Sequence, residues 1–231
     1  MPRIAKLIGA SKTYQMGDQL ITALQPTDLE INTGELLLII GPSGSGKTTL
    51  LSLLGCVIYP TAGELWVEDH LINGMSAKQL ALLRLHSIGF VFQNFNLLAP
   101  LTGEQNVQLP LQLMGIPSAE VKQRTKEALE RVGMTDRKNN LPKQLSGGQQ
   151  QRIAIARALV TQPKLILCDE PTAALDKDSL VVVMKELRQL ADQGKSVAVV
   201  THDPRLKAYA HRIVEVNNGG VKEISLTEDF K

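Results

Sequence analysis

Aromatic side chains are scarce in this sequence: one Trp, three Tyr and four Phe among 231 residues. A surface that grips single-stranded nucleic acid by stacking bases on aromatic rings is therefore poorly supplied. Charge of one sign is lacking as well. Twenty-five Lys and Arg against 23 Asp and Glu leave a net charge of +2, and that balance argues against nucleic acid as a partner. There are two cysteines, Cys56 and Cys168, both among apolar neighbours. Buried reduced thiols suit that setting, and a metal site would need further ligands close by. No apolar run reaches the roughly 18 residues of a membrane-spanning helix. The opening stretch, Met1-Pro-Arg-Ile-Ala-Lys6, lacks the apolar core of a secretory signal. A soluble cytosolic chain is expected, with any membrane role reached through a partner. With 43% hydrophobic residues, the chain can build one large core, or one domain with a subdomain.

What is present is concentrated in a few short stretches. Gly41-Pro42-Ser43-Gly44-Ser45-Gly46-Lys47-Thr48-Thr49 lies between the apolar run Leu36–Ile40 and a helix-like segment containing Leu50, Leu51, Leu53 and Leu54. Strand, glycine-rich turn and helix, in that order, are the context that a G-x-x-x-x-G-K-[ST] phosphate loop requires. Gly41, Gly44 and Gly46 let the backbone bend until its N–H groups converge on a polyphosphate. The N-terminus of the following helix adds partial positive charge at the same place. Lys47 is expected to reach the β- and γ-phosphates, and the Thr48 hydroxyl to hold Mg²⁺. A chance match would lack the two flanking elements, so the chain is expected to bind a nucleoside triphosphate.

The remaining candidates are weaker one at a time. Residues 4–14 and 20–31 alternate as strands do, ahead of a turn at Asn32-Thr33-Gly34. Tyr14 stands on the first of them, either as a core residue or as a ring on which a base stacks. Ile88–Phe92 is a short apolar strand that ends in Gln93; a glutamine there is either solvated or offers its amide oxygen to a metal or a water. Gly103–Met114 and Ser118–Val132 have helical spacing without strands between them, which predicts a helical insert in an α/β core. The insert ends in Leu145-Ser146-Gly147-Gly148-Gln149, at the start of a further helix. Ser146, Gly147 and Gly148 offer free N–H groups, no Cβ to block approach and a hydroxyl, which together make a second anion site. One nucleotide has one γ-phosphate, so two phosphate-facing devices invite a second subunit. Leu165–Cys168 reads as a buried strand leading to Asp169 and Glu170, two carboxylates that are costly to place together without a cation. Asp169 is expected to serve Mg²⁺, and Glu170 to polarise an attacking water. Val197–Val200 is another buried strand, and His202 leaves it at the kind of strand end where parallel sheets bind ligands. Residues 213–224 predict a hairpin turning at Asn217-Asn-Gly-Gly.

Taken together these residues resemble the ATP-binding-cassette (ABC) transporter ATPases over essentially the whole chain. The resemblance is carried by the phosphate loop, Gln93, the signature Leu145–Gln149, Asp169-Glu170, the loop Ala174-Leu175-Asp176 and His202, in the family's order and spacing. The signature makes it specific, since the phosphate loop alone marks only P-loop NTPases. The resemblance implies a P-loop NTPase core with a mainly parallel sheet, an N-terminal antiparallel β subdomain and an inserted α-helical signature subdomain. It implies one ABC ATPase domain over 1–231, with the core and β subdomain at about 1–93 and 161–231 and the helical subdomain at about 94–160. ATP and Mg²⁺ are the implied ligands. The implied catalytic residues are Glu170 as base or water-polariser, His202 on the γ-phosphate and Gln93 between Mg²⁺, water and the membrane partner. Thr48, Gln93 and Asp169 are the implied metal residues, and Tyr14 the adenine-stacking aromatic. The implied partners are a second copy of the chain, whose Ser146–Gln149 caps the nucleotide held by the first, and an integral membrane permease. The implied location is peripheral, on the cytoplasmic face of the inner (plasma) membrane.

Residues 89–98 and 145–159 resemble one branch in particular, the lipoprotein-releasing, macrolide-export and heterocyst-glycolipid-export ATPases. That branch implies export or release of a hydrophobic or amphiphilic substrate, with a periplasmic adaptor protein as a further partner. Pro171-Thr-Ala-Ala-Leu-Asp176 departs from the Pro-Thr-Gly-Asn-Leu-Asp of several members and leans towards the glycolipid exporters. The alternative is a cassette ATPase that regulates a cell-wall or cell-division membrane complex without cargo. Phe95, Leu97, Leu98 and Leu101, directly after Gln93, form an apolar cluster expected to receive a helix of the membrane partner.

Overall fold

The computed structural model describes residues 2–173 and 175–226, with the backbone alone at Lys177 and Asp178. Strands β1 (Arg3–Met16) and β2 (Gln19–Asn32) form an antiparallel hairpin. Strands β4 (Ala62–Val67) and β5 (His70–Leu71) extend it to a four-stranded sheet in the order β2-β1-β4-β5. Alternation gives this sheet one buried face, which includes Leu7, Ala10, Leu24, Ile31, Leu65 and Val67.

The second sheet holds β3 (Leu36–Ile40), β6 (Ile88–Val91), β7 (Leu165–Asp169), β8 (Ser196–Val200), β9 (Arg212–Asn217) and β10 (Gly220–Ile224). Its order is β10-β9-β3-β8-β7-β6, parallel throughout except for β10 at the edge. β3 and β8 are buried at every position, as continuous apolar runs inside a parallel sheet should be. On one face Leu37 and Ile39 pack with the leucines of α1 (Lys47–Leu54) and the core of the antiparallel sheet. On the other, Leu36, Leu38 and Ile40 join a core shared with α6 (Lys177–Asp192) and with α3 (Gly103–Leu113), α4 (Ser118–Arg131) and α5 (Gly147–Leu159). Helices α3 to α5 are inserted between β6 and β7. The fold is thus the expected P-loop NTPase arrangement, with a mainly parallel core sheet, an antiparallel β sheet and a helical insert.

Helix starts follow local chemistry. α2 (Ala77–Ser87), α3 and α5 each begin with a reciprocal capping box: Ser76 with Gln79, Thr102 with Gln105, and Ser146 with Gln149. α6 begins at Lys177, where the Asp176 carboxylate caps it by accepting from the Ser179 N–H at 2.9 Å. Of the loop Ala174-Leu175-Asp176, Ala174 lies outside the described residues.

Candidate nucleotide and hydrolysis site

The phosphate loop leaves β3 and enters α1 through Gly46, which sits at φ 109° and supplies no side-chain cap. The N–H groups of the first turn of α1 therefore keep no side-chain partner at the cap and point towards the loop's concave side. The fit around the loop is tight. A Cβ on Gly46 would lie 2.3 Å from the Ala23 carbonyl of β2, and one on Gly41 would lie 2.1 Å from the Val216 carbonyl of β9. The turn after β9 braces it further: Gly219 N–H donates to the Ser45 carbonyl at 2.9 Å, and the Gly219 carbonyl accepts from Gln25 N–H at 2.8 Å. Lys47 is buried, and its Nζ donates to the carbonyls of Gly41 and Pro42, both at 2.8 Å. Ser45 Oγ is buried without a hydrogen-bond partner. A folded-back ammonium, an orphaned hydroxyl and uncapped helical N–H groups are what a polyphosphate would satisfy. Pro42, Ser43, Gly44 and Thr48 are exposed, and Thr49 is half-buried.

Because β3, β8, β7 and β6 are neighbours in that order, their carboxyl ends place the loop, His202, Asp169-Glu170 and Gln93 along one edge. Glu170 is a non-glycine residue at φ 48°, which turns its side chain out of the line of β7. Its N–H donates to the Val200 carbonyl at 2.9 Å, and its Oε1 lies 2.7 Å from His202 Nδ1. The Glu170 carboxylate is mostly buried, whereas the imidazole is 73% exposed and leaves its other nitrogen to solvent. Burial, with the neighbouring Glu170 charge, pushes the Asp169 carboxyl above the usual carboxylate range, and Lys47 pulls it partly back. Among the described residues no group of three His, Cys, Asp or Glu could hold a metal alone. A Mg²⁺ site completed by substrate phosphates and waters fits these residues, since that ion is commonly held by one or two carboxylates plus phosphate oxygens.

Two further candidates, Tyr14 and the signature, lie off this edge, while Gln93 lies on it. Tyr14 pairs with Ile21 on the β1–β2 hairpin, two residues from Ala23, whose carbonyl abuts Gly46. Its ring is 39% exposed, and Lys12 Nζ lies 5.2 Å from the ring centroid, so the ring is not a core residue. Gln93 is exposed just beyond β6. The signature is set apart. Ser146 and Gln149 bond to each other and Gln150 to Leu145, with no hydrogen bond from Ser146–Gln149 to the phosphate loop, Asp169 or Glu170 among the described residues. Gly147 and Gly148 occupy the first turn of α5. One chain therefore sets the loop, His202, Asp169-Glu170 and Gln93 at neighbouring strand ends and keeps the signature apart from them.

Of the apolar cluster after Gln93, Leu97 packs against the core, while Leu98 is tied to Asn106 through its backbone and leaves its side chain 46% exposed. A groove of about 430 Å³ opens beside this segment, lined by Asn96 together with Val57, Ala81, Leu85, Phe92 and Arg157. The sequence offered no signal for Arg157, whose guanidinium donates to the carbonyls of Phe95 and Asn96.

Loop, carboxylate pair and parallel sheet define a P-loop nucleoside triphosphatase. The chain matches the ABC transporter family over residues 24–173. It is 44% identical over 216 residues to a Bacillus subtilis (strain 168) protein described as an uncharacterized ABC transporter ATP-binding protein, YknY, covering 94% of each. It is 45% identical over 228 residues to the macrolide export ATP-binding/permease protein MacB of Photorhabdus laumondii, covering 99% of this chain and 35% of that protein. Among solved structures, it resembles the ATP-binding cassette MJ0796 in a dimeric post-hydrolysis state bound to ADP and Pi, with TM-score 0.92, 41% identity, and coverage of 98% of this chain and 100% of that one. The chain belongs to the ABC transporter family and is an ATPase of that family.

Proposed function

We propose that the chain powers export or release of a hydrophobic or amphiphilic substrate (lipid, glycolipid, lipoprotein or drug) through a separate membrane subunit. The observation that carries the reading is the pattern of coverage. The match to macrolide export MacB takes in 99% of this chain but 35% of that protein, while the ATP-binding relative from Bacillus is matched over 94% of its length. No described helix is long and apolar enough to cross a membrane. The membrane subunit would dock in the groove beside Gln93, holding the chain at the cytoplasmic face of the inner (plasma) membrane. The proposal leaves out a periplasmic adaptor protein. It divides the single domain into a core and β subdomain at about 1–93 and 161–231, and a helical subdomain at about 94–160.

In the proposed cycle two copies pair head to tail. Lys47 releases the carbonyls of Gly41 and Pro42 and takes the β- and γ-phosphates, where an ammonium facing an anionic oxygen is held more strongly than one facing a neutral carbonyl. The remaining loop positions Gly41–Thr49 give backbone N–H groups, and Ser45 its hydroxyl. Tyr14 stacks on adenine. Ser146–Gln149 of the second copy close over the γ-phosphate with the uncapped start of α5. Mg²⁺, held by Thr48, Asp169 and Gln93 with the phosphates, would neutralise charge that develops on the transferred group. Glu170 accepts the proton of the attacking water as the bond to the leaving ADP oxygen breaks. His202 orients that carboxylate through Nδ1 and faces the γ-phosphate with its other nitrogen.

The test is co-purification with a candidate membrane subunit, followed by reconstitution into vesicles. Val57→Asp places a charge in the groove at a residue 53% exposed, so the variant should fold and keep basal ATPase. It should lose both the membrane subunit and transport. Unchanged co-purification and transport would reject the groove. Assembly without any ATP-dependent substrate movement would reject export and favour a regulatory complex.

A further inference from the structure

Arg157 is a half-buried cation with an unusual set of partners. It lies in the last turn of α5, the helix whose first turn carries the signature. Its Nη1 donates to the Asn96 carbonyl at 2.6 Å and its Nη2 to the Phe95 carbonyl at 2.8 Å. No ion pair to it is found among the described residues, and burial pulls its pKa below the ordinary guanidinium value. A guanidinium partly shielded from water and without a carboxylate gives up some of its hydration, and the two backbone carbonyls offset part of that cost. What it holds is strained in turn: Phe95 and Asn96 sit at φ 60° and 47°, two consecutive non-glycine residues in the left-handed region. Such a pair persists where surrounding contacts over-determine it.

Further on, the buried side chain of Asn106 fixes the chain again. It accepts from Leu98 N–H at 2.8 Å and donates to the carbonyls of Leu98, Leu101 and Thr102 at 3.0–3.2 Å. The chain after Gln93 is therefore pinned at 95–96 by α5 and at 98–102 by α3, while Gln93 itself is exposed. A simple packing role would need neither a guanidinium clamped on carbonyls nor a left-handed pair. Phe95 and Asn96 lie two and three residues beyond Gln93.

We propose that Arg157 is the positioning residue for Gln93: by clamping the Phe95 and Asn96 carbonyls it fixes the loop on which the Gln93 amide is presented to metal and water. The inference rests on the role proposed above for Gln93. It adds that the helix headed by the signature sets that glutamine's place through its far end. The clamp touches neither substrate nor phosphate, so its loss should leave nucleotide affinity alone.

The experiment is a double-mutant cycle with Gln93→Ala and Arg157→Met, which keeps length and apolar stem. Far-UV circular dichroism melts and ATP affinity are recorded for each variant. Hydrolysis is followed against both ATP and Mg²⁺. A displaced catalytic group costs on the order of 10- to 100-fold in rate, so Arg157→Met should lower kcat by about that much with ATP affinity unchanged. In the Gln93→Ala background the same change should cost nothing further. If Gln93→Ala alone leaves kcat intact, the role of Gln93 fails, whatever Arg157 does. If Gln93→Ala lowers kcat while Arg157→Met is silent or fully additive, the positioning role is overturned and Arg157 merely packs. Arg157→Lys, which keeps the charge and can still reach a carbonyl, should recover part of the rate. If the Met variant does not fold, the cycle with Lys decides between the same outcomes.

Discussion

Two inactive variants mixed together should regain hydrolysis. Lys47→Ala removes the ammonium now bonded at 2.8 Å to the Gly41 and Pro42 carbonyls. Ser146→Arg obstructs the first turn of α5 and removes the hydroxyl that accepts from Gln149 N–H at 3.3 Å. Loss of such a cap costs about 1 kcal/mol, against a domain stability of roughly 5–15 kcal/mol, so the variant should fold. Each alone should be almost inactive. If a site joins the loop of one copy to the signature of the other, a mixed dimer carries both lesions in one site and none in the other. Random pairing of equal amounts in a two-fold dimer gives about one half mixed dimers. With one working site of two in each, phosphate release should reach about one quarter of the wild-type rate if the sites act independently. If they act only together, release stays low, but each mixed dimer should still trap about one nucleotide. Phosphate release and retention of labelled ATP are measured side by side, with mixed dimers verified by two affinity tags. Neither release nor trapping, in verified mixed dimers, would refute a site shared between copies.

Glu170→Gln should lower hydrolysis by at least about 100-fold and accumulate an ATP-bound dimer, read by gel filtration; near-normal turnover would remove Glu170 from the chemistry. Tyr14→Ala should weaken ATP binding by roughly 1–3 kcal/mol in calorimetry, whereas Tyr14→Phe should be nearly silent; equal losses would implicate the hydroxyl instead of the ring. Burial and Glu170 raise the folded-state pKa of Asp169, so the folded chain binds that proton more tightly than the unfolded chain does. Stability is then lost as pH rises through the raised value and regained below it. Asp169→Asn should accordingly raise the melting temperature of the nucleotide-free protein near neutral pH, with the gain shrinking in acid, and should abolish stabilisation by Mg²⁺-ATP; a lower melting temperature at neutral pH would contradict this.

Much of the fold was legible because its determinants are local. The runs Leu36–Ile40, Leu165–Cys168 and Val197–Val200 carry no side-chain alternation, and they are the strands buried between layers. The helical spacing of Gly103–Met114 and Ser118–Val132 is carried by those residues alone, and α3 and α4 form there. The phosphate loop was readable because strand, glycines and helix adjoin in sequence. What could not be read depends on distant partners. Glu170 and His202 meet only because β7 and β8 pair in parallel, and the left-handed turn that lets them meet falls on a glutamate, the opposite of the usual glycine signal. The leucines after Gln93 read as a docking surface because apolar residues in a loop invite that reading. What the sequence did not show is that Asn106 anchors the backbone there while Leu98 keeps its side chain exposed. No local pattern pairs Arg157 with carbonyls some sixty residues earlier.

The bracing of the phosphate loop bears on how the protein is made. The loop lies at residues 41–49, yet its conformation leans on the Ala23 and Val216 carbonyls and on Gly219, which ties Ser45 to Gln25. A chain growing from its N-terminus acquires the glycines, Lys47 and α1 early, but the wall behind them arrives only with the turn at 217–220. Until then a nascent chain has the binding sequence without the binding shape, and nucleotide can lend no stability to the unfinished fold. Translation halted after His202 but before residue 216 would release a chain that has every residue of the proposed site and still cannot hold ATP.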